Sequence, residues 1–148
     1  MDVNIGRDTL LAIVATAWAD GQIDPRESAS VKSACEQLGL QPGDRAAVDQ
    51  ALARGLTLNE VETIRMNRLT RLFTYAASCW IAEVDGALSE PEKQALGLLG
   101  DRLGLSMVAR ERAHGVALSL SQSATPESFD LMKLRSQLSA GLSQISDE

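Results

Sequence analysis

The sequence predicts an all-α fold, a single-domain helical bundle of about seven or eight helices spanning residues 1–148. Three observations point there. Aromatics make up only 3% of the residues while Ala and Leu are plentiful, and Val and Ile never fall in alternating runs. Apolar residues recur at helical spacing along most of the chain. A helix–corner–helix phrase is also written twice, at an offset of 65 residues and without a gap. The two copies agree at Ala12/Ala77, Ala17/Ala82, Asp20/Asp85, Gly21/Gly86, Glu27/Glu92, Leu38/Leu103, Gly39/Gly104 and Leu40/Leu105. Ile23/Leu88 and Val31/Leu96 match in character. The pattern predicts an internal duplication, with one repeat over about 8–40 and the other over about 68–105.

The first helix is expected from about Asp8 to Asp20, its stripe formed by Leu10, Leu11, Val14, Ala17 and Trp18. Gly21 ends it with the positive φ that only glycine takes cheaply. Asp24 is the expected N-cap of the second helix, Pro25 its first helical residue, and Glu27 the reach-back partner of a capping box. That helix runs to Leu38 and stops at Gly39. "PGDRAAVDQALARG" reads as a short helix closed by Gly55, and "TLNEVETIRM" as another with Thr57 and Glu60 as a box. Residues 68–85 repeat the first helix, with Leu69, Leu72, Phe73, Ala76 and Trp80 on one face. Ser89 caps the next helix, Glu92 completes its box, and Leu103-Gly104 closes it. Ser106 caps a helix to about Leu118. A final helix is expected over about 126–144, starting at Pro126, with Phe129, Met132, Leu134, Leu138 and Leu142 as apolar residues. Its stripe is less regular, as in a helix packed loosely or turned to a partner.

Bulk properties exclude several functions. The formal net charge is −6 and the pI is near 4.8, against the basic footprint that nucleic-acid binding needs and in favour of a soluble cytoplasmic protein or a partner that carries cations. Cys35 and Cys79 are too few and too far apart for a zinc framework or a disulfide scaffold, and both fall on apolar helix faces. The apolar run "TLLAIVATAWA" has the length of a signal-peptide core. However, Asp2 and Asp8 against Arg7 leave its flank without positive charge, and the run is too short to cross a bilayer. Its counterpart "FTYAASCWIA" lies mid-chain, so both read as buried helices. No nucleophile elbow, phosphate loop or dinucleotide glycine pattern occurs. His114, the single histidine, has no acid or nucleophile at catalytic spacing, so no enzyme is expected. Arg65, Arg68 and Arg71 recur every third residue. With Glu62 nearby they read as a solvated, ion-paired face. Trp18 and Trp80 read as core residues, Trp18 nearer the rim because Glu83 replaces it in the second copy.

"ADGQIDPRE…LGL" and "VDGALSEPE…LGL", each led by an Ala-rich helix, resemble the TerB-like family of tellurite-resistance-associated helical domains, over about Leu10 to Leu118. The resemblance implies a non-enzymatic role in tellurite or other chemical stress. It also implies other proteins of a stress-response or membrane-associated assembly as partners, and acidic residues of the repeats as divalent-metal ligands. No "HPD" tripeptide is present, so the J-domain arrangement found in some relatives is not expected.

Asp20, Glu27, Asp85 and Glu92 are therefore the candidate metal ligands, with Asp24, Glu83 and Glu90 as further candidates. Asp20 and Asp85 are each expected at a helix C-terminus, where the macrodipole disfavours an anion by about 0.3–1 kcal/mol. Either a turn hydrogen bond or a cation can offset that. Oxygen ligands would suit Ca²⁺ or Mg²⁺; zinc would lack its His and Cys. Asp-Gly-x-Ile-Asp-x-x-Glu overlaps the end of an EF-hand loop, but Thr16 and Trp18, and Ile81 and Glu83, stand where its earlier ligands would be. The alternative is a helical protein-interaction module with an apolar groove, in which the acidic corners are structural: Glu27 and Glu92 then serve capping boxes worth about 1 kcal/mol each.

Overall fold

A computed structural model describes residues 7–19, 21, 23, 25–57, 61, 66, 68–82, 89–121 and 131–141. Among these the chain forms seven α-helices and no strand: α1 Arg7–Ala17, α2 Pro25–Leu38, α3 Pro42–Arg54, α4 Arg68–Ala82, α5 Glu90–Arg102, α6 Met107–Ser121 and α7 Leu131–Gly141. All-α architecture is as expected. Of 57–66, read as a helix, only Thr57, Val61 and Met66 are described, and none of the three is helical. Pro126, Phe129 and Leu142 of the final helix lie outside the described residues.

Two helices form the centre. From Leu72 to Ala82 every residue of α4 is buried, and in α1 Leu10 and Ala12 to Ala17 are. The two run against each other; α2, α3 and α5 flank α1, and α2, α5, α6 and α7 pack on α4. The chain's two apolar runs are thus core helices, buried all round as such runs must be. Phe73, Leu72, Leu10 and Ile81 are fully buried, and each contributes about 1.5–3 kcal/mol of burial. The abundant alanines let the helices approach closely: Ala12, Ala76, Ala77, Ala109 and Ala113 have no exposed surface. Where α1 meets α4, the hydroxyls of Thr9 and Thr74 lie 3.1 Å apart. These two threonines are themselves 65 residues apart.

Helix ends follow local chemistry. α2 closes when Gly39 takes φ +65, its N–H donating to Glu36 O and that of Leu40 to Cys35 O, each at 3.3 Å. α5 closes through the same two bonds: Gly104 at φ +69 donates to Asp101 O and Leu105 to Gly100 O, each at 3.0 Å. Both are Schellman endings, which need a residue in the left-handed region. Ser106 Oγ accepts from Ala109 N at 3.1 Å and starts α6.

Two expectations change. α7 is not loosely packed: Leu134 and Leu138 have no exposed surface, because the helix lies against α2, α4 and α6. Arg71 is not part of a solvated stripe. Its Nε donates to Met66 O and its Nη1 to Leu103 O, both at 2.9 Å, so it ties α4 to the end of α5. Arg65 lies outside the described residues.

Candidate functional site

The repeated corners supply two described carboxylates, Glu27 and Glu92, each in the first turn of its helix and only 2% and 4% exposed. A buried carboxylate is costly unless hydrogen-bonded. Glu92 is satisfied by the capping box that the sequence predicts. Its Oε1 accepts from Ser89 N at 3.0 Å and Ser89 Oγ at 3.1 Å, while Ser89 Oγ accepts from Glu92 N at 3.2 Å. Gly21 has φ +90, and its N–H donates to Trp18 O at 2.9 Å, ending the α1 segment as expected. Glu90 is an exposed residue, 3.3 Å from Lys93. Asp20, Asp24, Glu83 and Asp85 lie outside the described residues. Among the described residues no three His, Cys, Asp or Glu side chains come together as metal ligands would, and Glu92 Oε1 is already committed to its cap. The described carboxylates therefore do not assemble a centre for Ca²⁺ or Mg²⁺.

Beside the first corner the molecule has an open groove of about 360 Å³. One helical stripe of α5 lines it, through Pro91, Gln94, Ala95 and Leu98. A second stripe comes from the end of α1, through Ala15, Trp18 and Ala19, and Leu56 and Thr57 complete the lining. The α5 residues have i, i+3, i+4, i+7 spacing, which places them on one face of that helix, and Trp18 and Ala19 stand in the turn that follows α1. Small side chains, Ala15 and Ala95, are nearly buried, while Leu98 is 62% exposed. Trp18 stacks close to Gly55, where an added Cβ would come within 3.2 Å of the indole. Its Nε1 is buried with no hydrogen-bond partner. Trp80, by contrast, is 5% exposed and belongs to the core.

Sequence reasoning did not single out this groove. Leu98 carries the one local signal, since it stands apart from the core stripe of Leu96, Leu99 and Leu103 on the same helix. Among the described residues three other large apolar side chains are exposed, Met107, Val108 and Leu118, all on α6.

The remaining reactive groups are occupied by structure. Cys35 and Cys79 are buried free thiols. Burial pushes the Cys35 thiol up; nearby Arg45 pulls the other way, and Asp49 and Glu36 add to the rise. A thiol held protonated is a poor nucleophile. Arg110 donates to Leu105 O at 2.9 Å and pairs with Asp101 at 2.8 Å. Arg102 donates to Val61 O.

No helix among the described residues is long and apolar enough to cross a membrane. No curated protein and no solved structure matches the chain. Residues 4–116, most of its length, match the family described as a protein of unknown function, DUF533. With α1 to α5 and much of α6 inside that match, the chain belongs to the DUF533 family.

Proposed function

We propose that this protein is a non-enzymatic TerB-like interaction module that docks a helix of another protein in the groove between the end of α1 and α5. The observation that carries the reading is the pairing of an exposed Leu98 with a half-buried Trp18 over a floor of alanines. A surface of two parallel-spaced stripes with bulky walls and small residues between them takes a third helix by fitting ridges into grooves. The acidic corners serve structure in this reading, as the Ser89–Glu92 box does. The TerB-like type and its chemical-stress setting rest on the doubled Asp-Gly phrase, and the cytoplasmic placement on the net charge of −6.

The test uses the full chain and an amphipathic helical peptide with a Leu/Ala stripe. Trp18 and Trp80 are the only tryptophans, and Trp80 is already buried, so a change in emission reports Trp18. Docking predicts a saturable blue shift, with amide resonance changes at Ala15, Ala19, Ala95 and Leu98. No saturable change, or changes confined to α6, would overturn the reading.

We also propose that the two helix–corner–helix units descend from one copied segment. Support comes from the identical endings of α2 and α5, the matched burial of Glu27 and Glu92, and the meeting of Thr9 with Thr74.

A further inference from the structure

We propose that a second cleft, between α2 and α3, is a binding site for a small organic carboxylate, with Lys32 and Arg45 taking the anionic head and Leu52 and Ala53 a short apolar tail. The site is separate from the docking groove and stands independently of that reading.

The cleft has a volume of about 370 Å³ and is lined by Ser28 and Lys32 of α2 and by Arg45, Asp49, Leu52 and Ala53 of α3. Ser28 and Lys32 lie one turn apart, and the α3 residues follow i, i+4, i+7, i+8 spacing, so each set shares one helix face. Two cations and one carboxylate line the cleft, which leaves one positive charge in excess. The Arg45 side chain is 33% exposed and meets Asp49 at 3.6 Å, beyond hydrogen-bond length. Its Nε is buried with no hydrogen-bond partner. A guanidinium drawn out of water requires acceptors, and Asp49, itself 51% exposed, gives it only a long contact. Among the described residues neither Lys32 nor Ser28 makes a hydrogen bond or ion pair. Glu36 follows Lys32 by one turn, in the less favourable order for a helical ion pair, and it does not line the cleft. A carboxylate supplies the missing acceptors, with the Ser28 hydroxyl as a further donor. Its single charge matches the single excess charge, whereas a phosphate dianion exceeds it and is repelled by Asp49. Leu52, 7% exposed, and Ala53 add an apolar wall suited to an organic anion.

The experiment titrates the full chain with butyrate at constant ionic strength, beside butyramide, butylamine and inorganic phosphate, and follows backbone amide resonances. Butyrate is expected to shift Ser28, Lys32, Asp49 and Ala53 together and to saturate, while the neutral amide and the amine do not. Lys32→Gln, at an exposed position, should keep the fold and weaken butyrate about tenfold. Arg45→Gln should weaken it likewise. Leu98→Ser, in the docking groove, should leave butyrate binding unchanged. A butyrate response that never saturates, or one that ignores Lys32→Gln, overturns the site. Equal binding of butyramide shows an apolar cleft with no use for charge, and tighter binding of phosphate shows a site for inorganic polyanions. Either result overturns the carboxylate assignment.

Discussion

Ser89 and Glu92 show what one repeated phrase accomplishes at the scale of single residues. Glu92 is buried, yet its Oε1 accepts two hydrogen bonds from Ser89, and its own backbone N–H donates one to Ser89 Oγ in return. Removing the hydroxyl leaves the Glu92 amide N–H without its cap and the carboxylate with one donor fewer. Ser89→Ala should therefore cost about 1 kcal/mol, read as a lowering of Tm by roughly 2–4 °C for a chain of this size; an unchanged Tm would show the box to be idle. Box and cap were both legible in the sequence, because capping is local chemistry set by residue type at fixed spacing. Trp18 was legible only in part. Its counterpart position holds Glu83, which marks it as closer to the rim than Trp80. That its indole lines a groove depends on α5, which no spacing around Trp18 reveals.

Between elements, the joints of α1 with α4 and the ends of α2 and α5 carry the most specific expectations. Thr9 and Thr74 bury their hydroxyls against each other at 3.1 Å. Thr74→Val leaves Thr9 Oγ1 buried without this partner, a loss of about 1–3 kcal/mol. The double replacement Thr9→Val, Thr74→Val removes both polar atoms and should recover a good share of that loss; chemical denaturation of the four proteins measures the coupling. Strict additivity would mean that the hydroxyl pair contributes nothing. At the helix ends, Gly39 and Gly104 share a left-handed φ, and an added Cβ would meet nothing within 4 Å at Gly39 and only the tip of Arg71, at 3.8 Å, at Gly104. Backbone strain is thus the main cost of either substitution. Gly39→Ala and Gly104→Ala should each lower stability by about 1 kcal/mol, and by similar amounts. A cost at one site alone would set the two endings apart despite their common bonds. These ends were readable because Gly after an apolar helix has one usual meaning. The role of Arg71 was not, since its carbonyl partner Leu103 is brought to it by the packing of α4 on α5.

At the scale of the whole molecule, a central pair of buried helices is surrounded, among the described residues, by five others, and the described interior forms one contiguous cluster of buried residues. This much follows from composition and period: Ala-rich helices without polar faces must lie inside. The groove does not follow, because it exists only where α1 and α5 come side by side, and Leu98, though off the core stripe of its helix, carries no sign of α1 beside it. The acidic corners, which attract attention in the sequence, present a Glu92 folded into its own helix start, a buried Glu27 and an exposed Glu90. Docking in the groove is the central functional claim, and paired surface substitutions test it most directly. Leu98 and Met107 are 62% and 64% exposed, so Leu98→Ser and Met107→Ser should both leave the unfolding free energy within about 0.5 kcal/mol of the parent. Titration with the same amphipathic peptide should then show binding lost in Leu98→Ser and retained in Met107→Ser. Retention in Leu98→Ser with loss in Met107→Ser would place the partner on α6 and contradict the account.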